Sequence, residues 1–133
     1  MATGAKLWLV KPLGFQIDEQ SVRRAGVDYW NLLDLSVVDS WNDLREALPG
    51  RKFWYFSRFA KRSLWDASIG LGDAIVFGRE SSGLPAEILD PDSMQAIRIP
   101  TTEEVRSLNV SNTAAIAIYE VLRQNGRLGF SIG

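Results

Sequence analysis

The sequence predicts an α/β domain with a mainly parallel sheet and flanking helices, because short apolar runs of strand length alternate with helix signals. Runs rich in β-branched and aromatic residues recur at Leu7–Val10, Leu35–Val38, Phe53–Phe56, Ala74–Phe77 and Ala96–Ile99. Their starts are spaced by roughly 20 residues, which leaves room for helices between them. Ala74-Ile75-Val76-Phe77 is apolar throughout, the pattern of a strand buried on both faces of a parallel sheet.

Taken in order, Leu7–Val10 is the first strand. Asp18 can then cap a helix through Arg24 that Gly26 ends. The second strand, Leu35–Val38, leads into Ser40 and Asp43, a capping-box pattern ahead of a helix closed by Pro49-Gly50. Phe53–Phe56, Ala74–Phe77 and Ala96–Ile99 supply the next three strands. The strongest helix signal is Ser111 to Asn125, where Ala115, Ile118 and Leu122 recur at helical spacing, Ser111 or Asn112 can cap, and Gly126 stops the helix. Without internal repeats or linkers, residues 1–133 read as one domain, with only the polar tail Arg127–Gly133 expected to fray.

Composition narrows the chemistry. The chain has no cysteine and no histidine, which removes disulfides, thiolate zinc sites, cysteine nucleophiles and the usual serine-protease base. No metal is expected. A formal net charge of −1 and a pI near 5.4 weigh against a basic footprint over the whole domain, so any nucleic-acid contact has to come from a local patch. No stretch reaches the roughly 20 apolar residues of a membrane span and no secretory signal opens the chain, which makes a cytoplasmic protein the expectation.

Ligands of parallel sheets gather outside the strands' carboxyl ends, which directs attention to the loops after the last two strands. One reads Gly78-Arg79-Glu80-Ser81-Ser82-Gly83-Leu84-Pro85, with glycines that let backbone approach a ligand closely. The other runs from Pro100 through Arg106-Ser107-Leu108-Asn109-Val110 into the capped helix. On spacing alone they are either two walls of a pocket or an ordinary connection plus a helix cap. The acid-free stretch Arg51–Arg62 likewise has two readings. It is an RNA-binding patch, with Arg58, Lys61 and Arg62 on phosphates and aromatics stacking on an unpaired base, or it is a core strand flanked by solvated cations. Arg23 and Arg24, adjacent on the predicted helix, are further candidates for phosphate contact.

Phe77-Gly78-Arg79-Glu80-Ser81-Ser82-Gly83-Leu84-Pro85 resembles the second motif of the SPOUT class of RNA methyltransferases. Ile97-Arg98-Ile99-Pro100, with Arg106-Ser107-Leu108-Asn109-Val110-Ser111-Asn112, resembles the third. Lys11-Pro12-Leu13-Gly14-Phe15 and Arg23-Arg24-Ala25-Gly26-Val27-Asp28-Tyr29-Trp30 look like segments of the TrmL-type tRNA wobble-nucleotide 2′-O-methyltransferases. This resemblance implies a C-terminal deep trefoil knot, an exception to the rule against threaded connections. It implies S-adenosylmethionine as cofactor, leaving S-adenosylhomocysteine, with contacts near Phe56, Gly78, Ile99, Ser107, Leu108 and Asn112. It also implies a homodimer acting on the ribose 2′-hydroxyl of a wobble pyrimidine in tRNA. The alternatives are ribose methylation of ribosomal RNA on the same fold, or an inactive remnant that binds RNA or cofactor.

Enzymes of this type begin with a further strand and an Asn-x-Gly-Asn loop followed by an arginine, whereas Met1–Leu7 looks like the end of the helix after that loop. The resemblance therefore implies an N-terminally incomplete domain in which no residue matches the catalytic arginine. Arg58 is the weak candidate for its replacement.

Overall fold

The computed structural model describes residues 3–11, 34–79, 83–105 and 108–126. It divides into two compact units, Met1–Gly50 and Arg51–Gly133.

In the first unit, β1 (Leu7–Val10) and β2 (Leu35–Val38) pair in parallel, Leu7 opposite Leu35 and Val10 opposite Val38. Both strands match the predicted runs. The ladder is extended at its ends by Leu7 N–H to the Asp34 carbonyl and Lys11 N–H to the Val38 carbonyl, each 2.9 Å. Helix α1 (Trp41–Ala47) starts as its sequence predicts: the Ser40 hydroxyl accepts from the Asp43 N–H at 3.1 Å. It buries Leu44, and Gly50 turns the chain away at a φ of +71°. Gly4 has a φ of +72°, the left-handed conformation in which helices commonly end. The predicted helix from Asp18 to Arg24 lies outside the described residues.

The second unit carries a four-stranded, all-parallel sheet in the order β4-β6-β3-β5. Its strands are β3 (Phe53–Phe56), β4 (Arg62–Ser63), β5 (Ala74–Val76) and β6 (Ala96–Arg98). Two predicted strands thus end one residue early, at Val76 and Arg98, because Phe77 and Ile99 leave the ladder for the loops beyond it. β4 was not predicted. Although β6 is last in the chain, it lies between β3 and β4, which are joined by residues 57–61 alone. Parallel neighbours ordinarily need a crossover of about a dozen residues to return to their starting end. Here no return is needed, because Phe56 is level with Ile97, and Ile97 with Arg62. The chain sidesteps across the line of β6 where β3 ends.

Alternation along β3 decides the fate of its aromatics. Trp54 and Phe56 point into the core, while Phe53 and Tyr55 are half-buried on the other face with ring centroids 6.5 Å apart. The core-strand reading therefore holds for Trp54 and Phe56. They pack with Leu64, Ala67, Ile69, Ile97 and Ala117, and Ile75, Phe77, Ile99 and Val121 close around them. Trp54 satisfies its indole N–H on Asp73 Oδ2 at 2.9 Å, and the same oxygen accepts from Gly70 N–H at 2.9 Å.

Helix α2 (Val110–Gln124) begins earlier than predicted. Its cap is Asn109, not Ser111 or Asn112: Asn109 Oδ1 accepts from both the N–H and the hydroxyl of Ser111, at 2.8 and 2.6 Å. At the other end, Gln124 accepts from Ile69 N–H and donates to the Ala67 carbonyl, both at 2.9 Å, while Asn125 Nδ2 donates to the Ile69 carbonyl at 2.8 Å. These bonds fix the helix to the loop before β5.

Candidate cofactor and RNA site

A cavity of about 170 Å³ opens where β3, β5 and β6 end and α2 begins. This is the carboxyl edge of the parallel sheet, the place the sequence analysis singled out. Phe56 to Phe59 form one wall, Phe77 to Arg79 with Gly83 and Leu84 a second, and Arg98, Ile99 and Thr101 a third. Leu108, Val110 and Thr113 close it from the start of α2, and Leu89 adds an apolar contact. Phe56 and Phe77 meet with ring centroids 4.9 Å apart at its base. The lining therefore mixes apolar side chains and glycine backbone with Ser57, Thr101, Thr113, Arg58, Arg79 and Arg98, which suits a flat heterocycle carrying polar groups at its edge. Segments 80–82 and 106–107 continue two of the walls in sequence and lie outside the described residues.

The loop after β5 is closed by its own backbone. Arg79 and Gly83 exchange hydrogen bonds, Gly83 N–H to the Arg79 carbonyl at 2.7 Å and Arg79 N–H to the Gly83 carbonyl at 3.3 Å. Gly83 adopts a φ of +68°, open to glycine at little cost. Gly78 is glycine for a different reason, since a β-carbon there would collide with the Gly83 carbonyl carbon and the Leu84 nitrogen.

Residues 1–119 match the model of the SpoU rRNA Methylase family. The chain belongs to that family. A relative from Geobacillus stearothermophilus is 42% identical, the alignment covering 98% of this chain and 85% of the relative. One from Methylovorus glucosotrophus, named tRNA (cytidine(34)-2'-O)-methyltransferase, is 40% identical and covers 96% of this chain and 83% of its own. A solved structure concerned with 2-OH methylation of C/U34 on tRNA is 39% identical, with a TM-score of 0.83 over 92% of this chain and 80% of that one.

Within this SpoU-family chain, Phe56, Gly78, Ile99 and Leu108 all reach the cavity. Asn112 stands exposed on the first turn of α2 and is not on the lining, which takes Thr113 instead. Ser107, Arg23 and Arg24 lie outside the described residues. Arg58 lines the cavity, its guanidinium 4.7 Å from the Phe59 ring centre. Lys61 is paired with Asp92, whose carboxylate accepts from the ammonium and raises its pKa further. Arg62 braces the fold: Nη1 donates to the Met94 carbonyl and Nη2 to the Asp66 carbonyl, both at 2.9 Å. Sequence reasoning missed Leu89 and Thr113 and did not single out Phe59, Arg98 or Thr101, although these three fall in segments it had marked: the acid-free aromatic stretch, the third motif and the loop after Pro100.

Among the described residues no helix is long and apolar enough to cross a membrane, and no three acidic, cysteine or histidine side chains gather as metal ligands do.

Proposed function

We propose that this chain transfers a methyl group from S-adenosylmethionine to the ribose 2′-hydroxyl of the wobble pyrimidine of tRNA, acting as a cytoplasmic homodimer with its C-terminal part threaded into a trefoil knot. What carries the reading is a family-wide match in which relatives about 40% identical over most of the chain are named for methylation at nucleotide 34. The cavity at the carboxyl edge of the sheet, lined by both apolar and polar residues, supports it. The strand order supports the knot, since β6 lies between two strands joined only by residues 57–61.

The lining fits the cofactor. Ile99, Leu108, Phe56 and Phe77 offer apolar faces for an adenine ring, and the backbone around Gly78 and Gly83 offers donors and acceptors at its edge. When bound, the cofactor would supply an already electrophilic methyl group, so the residues of this chain have mainly to hold the ribose oxygen in line and assist the departure of its proton. That demand is met by shape and hydrogen bonding, which suits a chain without histidine or cysteine.

Two measurements test the proposal. Titration calorimetry with S-adenosylhomocysteine should give saturable binding at one per protomer. Methyl transfer to unmodified tRNA should then exceed transfer to ribosomal RNA fragments, with the product mapped to nucleotide 34. A folded chain that binds no S-adenosylhomocysteine would favour an inactive remnant, and preference for ribosomal RNA would shift the substrate.

A further inference from the structure

A second, more open cavity adjoins the first and shares Arg98 and Thr101 with it. Lys61, Ser63, Thr102 and Glu103 complete its polar lining. The charges there are unevenly committed. Lys61 is already matched by Asp92. Thr101 donates its hydroxyl to the Val105 carbonyl at 3.2 Å. The Ser63 hydroxyl accepts from Trp65 N–H at 3.0 Å, which leaves its own hydrogen to donate.

Arg98 differs from all of these. It is half-buried at the end of β6, level with Ser63, and among the described residues no carboxylate pairs with it. Glu103 lines the same groove but does not come within salt-bridge distance of Arg98, and a guanidinium drawn partly out of water with no paired carboxylate among the described residues favours a ligand that supplies the charge. Its planar fork of donors matches two oxygens of a phosphate.

We propose that this groove seats a backbone phosphate of the RNA, next to the nucleotide whose ribose is presented to the cofactor in the first cavity, with Arg98 as the positioning residue that anchors it. The inference rests on the RNA-methylating reading above. Because Arg98 lines both cavities, a phosphate held there fixes the strand relative to the neighbouring site. Thr102 and Ser63 add neutral donors.

The test measures tRNA binding by the full chain and by R98Q, R98K and T102E between about 50 and 200 mM salt, with S-adenosylhomocysteine titrated into each. R98Q should weaken tRNA binding about tenfold and flatten the slope of log K against log salt by about one unit, as loss of one phosphate contact requires. R98K, which keeps the charge, should keep most of the slope. T102E, at an exposed position, should weaken tRNA binding without moving the unfolding midpoint. Cofactor-product affinity should stay within about twofold in T102E, because Thr102 lines the second cavity and not the first. Wild-type tRNA affinity and slope in R98Q, or lost S-adenosylhomocysteine affinity with intact tRNA binding, would overturn this inference alone. A wild-type chain that binds product but no tRNA would overturn the functional reading as well.

Discussion

Gly78 shapes the first cavity by the atom it lacks. From sequence, its value lay in letting backbone approach a ligand. In the structure the space beside it is taken by the backbone of Gly83 and Leu84, so the glycine permits the loop to close on itself. Gly78→Ala should therefore push the Gly83–Leu84 segment out of place, lowering S-adenosylhomocysteine affinity by about tenfold or more and also lowering the unfolding midpoint. Gly70→Ala is the control, because its β-carbon would meet the Asp73 carboxylate at an ordinary 3.5 Å. Calorimetry on both variants decides the matter, and unchanged affinity in folded G78A would remove Gly78 from the site. The motif marked the residue in the sequence. The reason for it depends on a contact across the loop, which no local pattern displays.

At the scale of elements, α2 combines a legible pattern with an illegible one. Its apolar spacing announced the helix, while its cap moved to Asn109 because Ser111 spends its N–H and hydroxyl on the asparagine. Near its end the largely covered Glu120 accepts from Arg123 Nε and Nη2 at 2.9 and 2.7 Å, and these bonds hold its pKa below the ordinary 4.5. A carboxyl lowered in the folded state stabilises the protein fully above the unfolded value, and that contribution disappears as pH falls through the folded one. Glu120→Gln should thus cost less than about 1 kcal/mol near neutrality, the Arg123 end being well exposed to solvent, and nothing at strongly acid pH. Urea unfolding across that range checks it, and a cost independent of pH would show that the carboxylate charge is not responsible. The strands were legible wherever an apolar run filled them. β4 was not, because Arg62 and Ser63 form a strand only through their pairing with β6.

For the whole molecule, the sequence pointed to the cavity by one rule, that ligands sit beyond parallel strands. It named residues on each strand end but missed Leu89 and Thr113, which reach the cavity only through tertiary packing. The proposed dimer has a visible candidate face on α2, where Ile116 is 43% and Tyr119 57% exposed. Ile116→Asp should shift the chain from dimer to monomer in sedimentation or light scattering, and a monomeric wild type would end the dimer proposal. The position of β6 also sets the order in which this protein can fold as it is synthesised. Among the described residues β4 has no neighbouring strand except β6. Once residues through Val76 have emerged from the ribosome, β3 and β5 can pair, but β4 must wait for its sheet partner until Ala96–Arg98 emerges and enters between strands that precede it in the chain. Assembly of the sheet is therefore gated by its last strand, and the closing step is one of insertion between existing segments, a slow, non-local event during which chaperones and proteases have their longest access to the chain.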